Sequence, residues 1–177
     1  MSEPPNKPVI PPEGIDPKAL RQQAAGKKKA VKKFFRQLKS RKAGEVDAAF
    51  HGAHEEVFAC TDCLRCANCC KTTGPLFTDK DIARIAKHLR MRPAAFVEKY
   101  LRIDEDGDHV LQSVPCPFLG GDNYCGIYEV RPKACREFPH TDRRNMQEIL
   151  DLTQKNLAIC PAVGEIVDRM QEQLKNR

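Results

Sequence analysis

Nine cysteines stand in this chain of 177 residues, and five of them crowd into one run: Cys60-Thr61-Asp62-Cys63-Leu64-Arg65-Cys66-Ala67-Asn68-Cys69-Cys70. The other four, Cys116, Cys125, Cys135 and Cys160, lie farther along. Repeated Cys-x-x-Cys spacing lets two thiolates reach one metal from a tight turn and leaves backbone amides to donate to sulfur. The opening residues, Met1-Ser2-Glu3-Pro4-Pro5, lack the charged-then-apolar pattern of a secretory signal. A cytoplasmic, reducing setting is therefore expected, where clustered cysteines serve as metal ligands or redox groups more often than as disulfides. The odd count also leaves one thiol over in any all-disulfide scheme.

Cys69 and Cys70 are immediate neighbours, and adjacent side chains point to different sides of a strand or helix. The pair suggests either two centres fed from one knot or one cluster on a special backbone. Without Cys60, eight thiols remain, enough for two four-thiolate sites. Cys60, Cys63, Cys66 and Cys70 match the C-x2-C-x2-C-x3-C spacing of bacterial ferredoxins, but Lys71 replaces the proline that should follow and no second run exists. A ferredoxin fold is not expected; a cuboidal iron–sulfur cluster stays open. The radical-initiating C-x3-C-x2-C spacing would need cysteine at Thr73.

A thiolate centre carries excess negative charge, which nearby cations and amide donors offset. Lys71, Arg131, Lys133 and Arg136 sit beside cysteines in sequence, and Cys160 precedes a helix start whose amides favour a thiolate. Tyr128 and Phe138 are expected to pack over the centre. His51 and His54, with Glu55 and Glu56 near, fit a surface helix better than a metal site, for want of a second carboxylate–His pair. His88 reads as exposed, while His109 and His140 lie near cysteine loops and are candidates to replace a thiol. Asp104, Asp106 and Asp108 around Gly107 resemble a calcium loop, but Pro115 stands where the bidentate glutamate belongs, so a polar turn is the better reading. There is no Ser-His-Asp order, P-loop or dinucleotide fingerprint, and Gly120-Gly121 is too little for a phosphate cradle. No catalytic residue is nominated.

The elements that must hold these groups follow from periodicity. Residues 1–16, five of them proline, read as a disordered lead. Residues 17–45 form a basic amphipathic segment, with a helix over 17–42 whose Val31, Phe34, Phe35 and Leu38 make one apolar stripe. Residues 46–177 are the cysteine-cluster domain. There Glu45–Phe58 leads into the cysteines as a helix, and Thr78 caps a helix over 79–90. Arg92-Pro93 interrupts before a short helix with Phe96 and Tyr100. Residues 101–114 make a hairpin turning at Asp106-Gly107. Loops fill 115–140, and helices return over 142–155 and 161–175, the last with a Val163, Ile166, Val167, Met170, Leu174 stripe. The expected fold is mainly α, compact, with a small β-hairpin and long metal-binding loops.

Charge is uneven: residues 1–45 hold 12 Lys and Arg against 4 Asp and Glu, and the remainder 18 against 20. The basic helix suits an acidic partner, a protein in the first place; nucleic acid is open but unsupported by the charge balance of the rest. The alternative is a helix that packs its phenylalanines and solvates its lysines. No stretch reaches the ~18 apolar residues of a membrane span.

Cys63-x-x-Cys66-Ala67-Asn68-Cys69-Cys70-Lys71 resembles the signature of the CxxCxxCC, or YkgJ-type, cysteine-cluster family. The resemblance continues through Leu76-Phe77-Thr78-Asp79-x-Asp81-Ile82-Ala83-Arg84-Ile85-Ala86, Cys116-Pro117-Phe118-Leu119, Cys125-Gly126-Ile127-Tyr128-Glu129-Val130-Arg131-Pro132 and Cys135-Arg136-Glu137-Phe138-Pro139, to Cys160. It spans about residues 58–161. Cys60 is extra to the signature, and Ala67 stands where the family usually has glycine. The resemblance implies a zinc- or iron-chelating domain. Its ligands are Cys63, Cys66, Cys69, Cys70, Cys116, Cys125, Cys135 and Cys160, with Arg131 and Arg136 toward the bound group. The cofactor expected is an iron–sulfur cluster, 4Fe-4S favoured, or zinc. A similar cluster region occurs in flagellin lysine N-methylase. Three function classes follow: redox transfer, metal handling or accessory work by a metal protein; a structural zinc domain whose basic helix binds a protein or nucleic acid; and a cluster-dependent, methylase-like modifying enzyme.

Overall fold

Asp16 accepts a hydrogen bond from the Lys18 amide and Pro17 opens the first turn, so the first helix, α1, begins where sequence places it and runs Pro17–Lys39. The computed structural model describes residue 10 and residues 14–175; most of the proline-rich lead lies outside them. The described residues fall into two compact units. The first takes the chain up to Cys66 and again from Pro139, and the second is Ala67–Phe138.

The first unit is helical. α1 turns Val31, Phe34, Phe35 and Leu38 inward, and α2 (Ala43–Phe58) adds Val46, Phe50, Ala53 and Val57. In α1 Phe34 and Phe35 are buried while Lys28, Lys29, Lys32, Lys33 and Arg36 are exposed. Lys27 pairs with Asp168 and Lys39 reaches Asp151. A short helix α3 (Cys63–Cys66) closes the first pass of the chain. After Pro139 come a 3-10 turn (Met146–Ile149), helix α8 (Leu150–Asn156) and helix α9 (Pro161–Lys175), α7 belonging to the second unit. Val163, Ile166, Val167 and Met170 of α9 complete the core.

The helix expected over 142–155 starts later than its periodicity suggests. Asn145 is left-handed (φ 57°), and the Asp47 carboxylate accepts the Asn145 and Met146 amides at 2.9 and 2.8 Å. A side chain from α2 therefore caps this helix entry from across the core, which a local pattern does not encode.

The second unit is built from α4 (Asn68–Thr72), strand β1 (Leu76–Phe77), α5 (Asp79–His88), α6 (Pro93–Tyr100), strands β2 (Leu101–Ile103) and β3 (His109–Leu111), and α7 (Lys133–Glu137). Thr78 and Asp81 form a reciprocal capping box on α5. The helix stops two residues short of expectation because Arg90 turns left-handed (φ 55°). β2 and β3 are the expected hairpin, with Gly107 at φ 85° in the turn, a conformation glycine adopts without steric cost. β1 adds to β3, giving an antiparallel sheet of order β1-β3-β2. At the hairpin turn the Asp104 carboxylate accepts from the Asp106 and Asp108 amides. Phe77, Ile82, Ile85, Ala86, Phe96, Leu101, Leu111 and Ile127 form a small core on which Cys116 and Cys125 pack. Among the described residues no helix is long and apolar enough to cross a membrane.

Candidate metal centre

In the second unit the thiols are carried by short, locally determined turns. α4 holds Cys69 and Cys70, whose sulfurs are 4.0 Å apart, so these neighbours do not diverge as adjacent side chains were expected to. The Cys70 carbonyl accepts the Cys116 amide at 2.8 Å, tying the next cysteine turn to α4. Cys116-Pro117-Phe118-Leu119 folds back with Leu119 N donating to Cys116 O at 3.0 Å. The Phe118 and Leu119 amides point at the Cys116 sulfur. The chain reverses at Gly120, whose amide donates to Tyr124 O at 2.7 Å. A Cβ at Gly120 would lie 2.6 Å from Asp122 Oδ1, so the tight return suits glycine. Leu119 bridges Cys125, and the Ile127 amide donates to the Cys125 sulfur. Amides two and three residues beyond a cysteine, aimed at its sulfur, are the arrangement that stabilises a thiolate bound to metal.

Cys135 arrives on α7, and Asp81 fixes that helix. The buried Asp81 carboxylate accepts the Lys133 amide at 3.1 Å, besides the Thr78 amide and hydroxyl and the Arg84 guanidinium. Burial pushes the Asp81 carboxyl up, but the hydrogen bonds from Thr78, Arg84 and Lys133 outweigh it and hold it below the usual range. Arg84 extends the clamp by donating to Arg131 O at 3.0 Å. Sequence reading took Asp81 only for a first-turn acid. The one available signal was its membership of the capping box, since its partner at Lys133 lies 52 residues away.

The Cys135 thiol lies near enough to Cys70, Cys116 and Cys125 for their charges to act on it. Burial raises Cys116 to about 11 and Cys135 to about 12, and raises Cys125 as well. Cys70 moves the other way, lowered by the hydrogen bond from Cys69, against burial and with help from Lys71. Arg131 stacks 3.8 Å over the Tyr128 ring, donates to Tyr128 O at 2.7 Å, and favours the thiolates of Cys125 and Cys135. Arg136 is exposed and donates to Arg131 O at 3.2 Å.

In the first unit Cys63 and Cys66 stand at the two ends of α3, and Cys160 precedes α9. The Val163 and Ala162 amides donate to the Cys160 sulfur, and Cys63 and Cys66 are near enough to act on it. The helix start was expected to favour a Cys160 thiolate. Burial prevails, and the thiol is pushed up to about 12 despite those amides. The Cys60 sulfur turns back toward Val57 O at 3.4 Å, along the end of α2.

His54 is half-buried rather than a plain surface residue. It stacks on Phe58 with centroids 4.4 Å apart, and its Nδ1 is 2.8 Å from Thr141 Oγ1. His51 Nε2 is 2.9 Å from Arg143 O. Both rings hold the chain after Pro139 against α2. His88 is exposed as expected, and His109 lies on β3.

No disulfide joins the described residues. Among them no three His, Cys, Asp or Glu side chains form a ready site for a single metal ion. The chemistry of the set fits such a ligand: soft sulfur donors, amides aimed at sulfur, and an arginine beside them.

Among known proteins, the model of the CxxCxxCC family, described as "Putative zinc- or iron-chelating domain", matches residues 62–161. A protein of Methanocaldococcus jannaschii, "Uncharacterized protein MJ0661", is 34% identical over 82 residues. That match takes in 45% of this chain and 44% of the relative, so less than half of the relative's length is spanned. No solved structure matches.

Proposed function

We propose, on the premise that this chain belongs to the CxxCxxCC family of zinc- or iron-chelating domains, that its thiols hold an iron–sulfur cluster, with 4Fe-4S favoured over zinc. The expected ligands are Cys63, Cys66, Cys69, Cys70, Cys116, Cys125, Cys135 and Cys160. The observation that carries the reading is the gathering of Cys70, Cys116, Cys125 and Cys135 around one neighbourhood, with backbone amides on Cys116 and Cys125 and Arg131 alongside. When bound, an iron–sulfur cluster supplies one-electron transfer, and zinc a rigid cross-link.

This chain's own groups do the rest. Buried thiols that stay protonated at neutral pH must release their protons on metal binding, so affinity rises with pH. Cys70, lowered where Cys116, Cys125 and Cys135 are raised, offers the first thiolate of those four. Arg131 offsets negative charge on Cys125 and Cys135, and Lys133 and Arg136 add two more cations to that stretch. Use in redox transfer, in metal handling or beside a modifying enzyme accords with such a centre, and a reducing, cytoplasmic compartment keeps the thiols available.

A second reading, a structural zinc domain whose α1 binds an acidic protein, draws on the exposed Lys28, Lys29, Lys32, Lys33 and Arg36. Metal and acid-labile sulfide content on protein purified without oxygen, with a visible spectrum on the same sample, tests the two. Iron with matching sulfide and a broad visible band supports the cluster. Colourless protein holding only zinc overturns it in favour of the second reading.

A further inference from the structure

The cysteine run is cut by the fold. α3 ends at Cys66, the next residue Ala67 is left-handed (φ 46°, ψ 17°), and α4 begins at Asn68. The boundary between the two compact units falls at this same point. Cys63 and Cys66 are thus assigned to the unit that also contains Cys160, while Cys70 is assigned with Cys116, Cys125 and Cys135.

The thiol influences on Cys160 and on Cys135 each come from within their own unit. The thiols that act on Cys160 are Cys66 and Cys63. Those that act on Cys135 are Cys70, Cys116 and Cys125. Backbone contacts also hold the second set together. Cys70 O takes the Cys116 amide, Leu119 bridges Cys125, and the Asp81 carboxylate fixes the helix bearing Cys135. Members of each set pack on a separate core, Cys160 on the helical one and Cys116 and Cys125 on the one beside the sheet.

We infer that the chain carries two metal centres, a four-thiol centre made of Cys70, Cys116, Cys125 and Cys135 wholly within Ala67–Phe138, and a second that uses Cys63, Cys66 and Cys160. The inference rests on the metal-binding reading above. Each ligand thiol still protonated gives its proton to solvent as its sulfur–metal bond forms, so up to four protons leave when the four-thiol centre takes a divalent ion. The Cys63–Cys70 run then supplies both centres, Cys63 and Cys66 to one and Cys70 to the other.

The test uses the full chain. Metal-free protein is titrated with cobalt(II), whose sulfur-to-metal absorption grows with the number of thiolates bound. Three variants are compared with the parent: Cys63→Ser/Cys66→Ser/Cys160→Ser, Cys116→Ser/Cys125→Ser, and Cys160→Ser alone. The triple variant is expected to keep a four-thiolate spectrum at roughly half the parent's cobalt content, and the Cys116/Cys125 variant to lose it. A triple variant that loses that spectrum while keeping the parent's helical signal overturns the inference.

Should a variant fail to fold, the parent still decides. Cobalt-loaded protein is stripped by a chelator while exposed cysteines are alkylated and located by mass spectrometry. Two phases are expected, one labelling Cys70, Cys116, Cys125 and Cys135 together, the other Cys63, Cys66 and Cys160. A single common phase for all seven overturns two centres but leaves metal binding standing. A parent that takes up no cobalt, iron or zinc overturns the metal-binding reading itself.

Discussion

The helical unit and the cysteine-rich unit solve the same problem with different means. The first buries a core drawn from α1, α2, the 3-10 turn, α8 and α9 that includes Phe50, Leu38, Met146, Leu150, Ile166 and Met170, all fully out of water. The second has Phe96 and Ile85 fully buried, and a core about half as populous, yet it must order long loops between residues 112 and 132. Conformational entropy opposes both in proportion to the residues ordered, and apolar burial offsets it far better in the first. A segment on the order of 70 residues with a thin core needs cross-links. The difference teaches where a cross-link through the thiols would matter most for folding, which is the second unit.

Removing metal should separate the units most. Metal binding by structural thiolates contributes on the order of 10 kcal/mol to folding of such domains. A chelated sample is expected to lose hydrogen-exchange protection across β2, β3 and α7 while α2 and α9 stay protected. Equal protection in both units after chelation would abolish the contrast.

Asp81→Ala should be next, costing about 2–3 kcal/mol, because it strips partners from the Lys133 amide, the Thr78 cap and Arg84 at once. The loss is expected in the second unit alone, together with faster metal release from Cys135. Chelator kinetics and exchange protection check both; a loss spread over α2 and α9 would count against this anchoring role.

Ala67→Gly should raise stability by roughly 0.5–1 kcal/mol. A left-handed residue with a Cβ is strained by about 1–2 kcal/mol, part of which is returned to the unfolded glycine's freedom. A higher denaturation midpoint in the metal-bound protein is the readout.

The smallest effect belongs to the helical unit and to pH. Burial lowers the His54 pKa, opposed by Asp142 and Glu55 and aided by His51. The unfolded imidazole takes a proton near pH 6.5 while the folded one resists until lower pH. Stability of the helical unit should therefore fall modestly as pH drops below about 6.5, and flatten once the folded group titrates. Thermal melts of the parent and His54→Gln across that range check it: the slope should shrink in the variant.

How much of this was legible beforehand varies with the range of the interaction. The α1 stripe, the Thr78 cap, the Asp106-Gly107 hairpin and the α9 stripe are patterns within a few residues, and each forms where its spacing puts it. The late start near Met146 and the Asp81 anchor depend on partners from other elements, Asp47 and Lys133, which no local period reports.

Sequence by itself determined the chemistry: soft donors at metal-binding spacing, in the ordered blocks of one family, on a mainly helical frame with a small sheet. Tertiary structure alone decided which thiols are neighbours. Spacing sets what a single turn can reach, whereas Cys135 comes under the charge of Cys70, and Cys160 under that of Cys66 and Cys63, only because separate cores pull their supporting elements together.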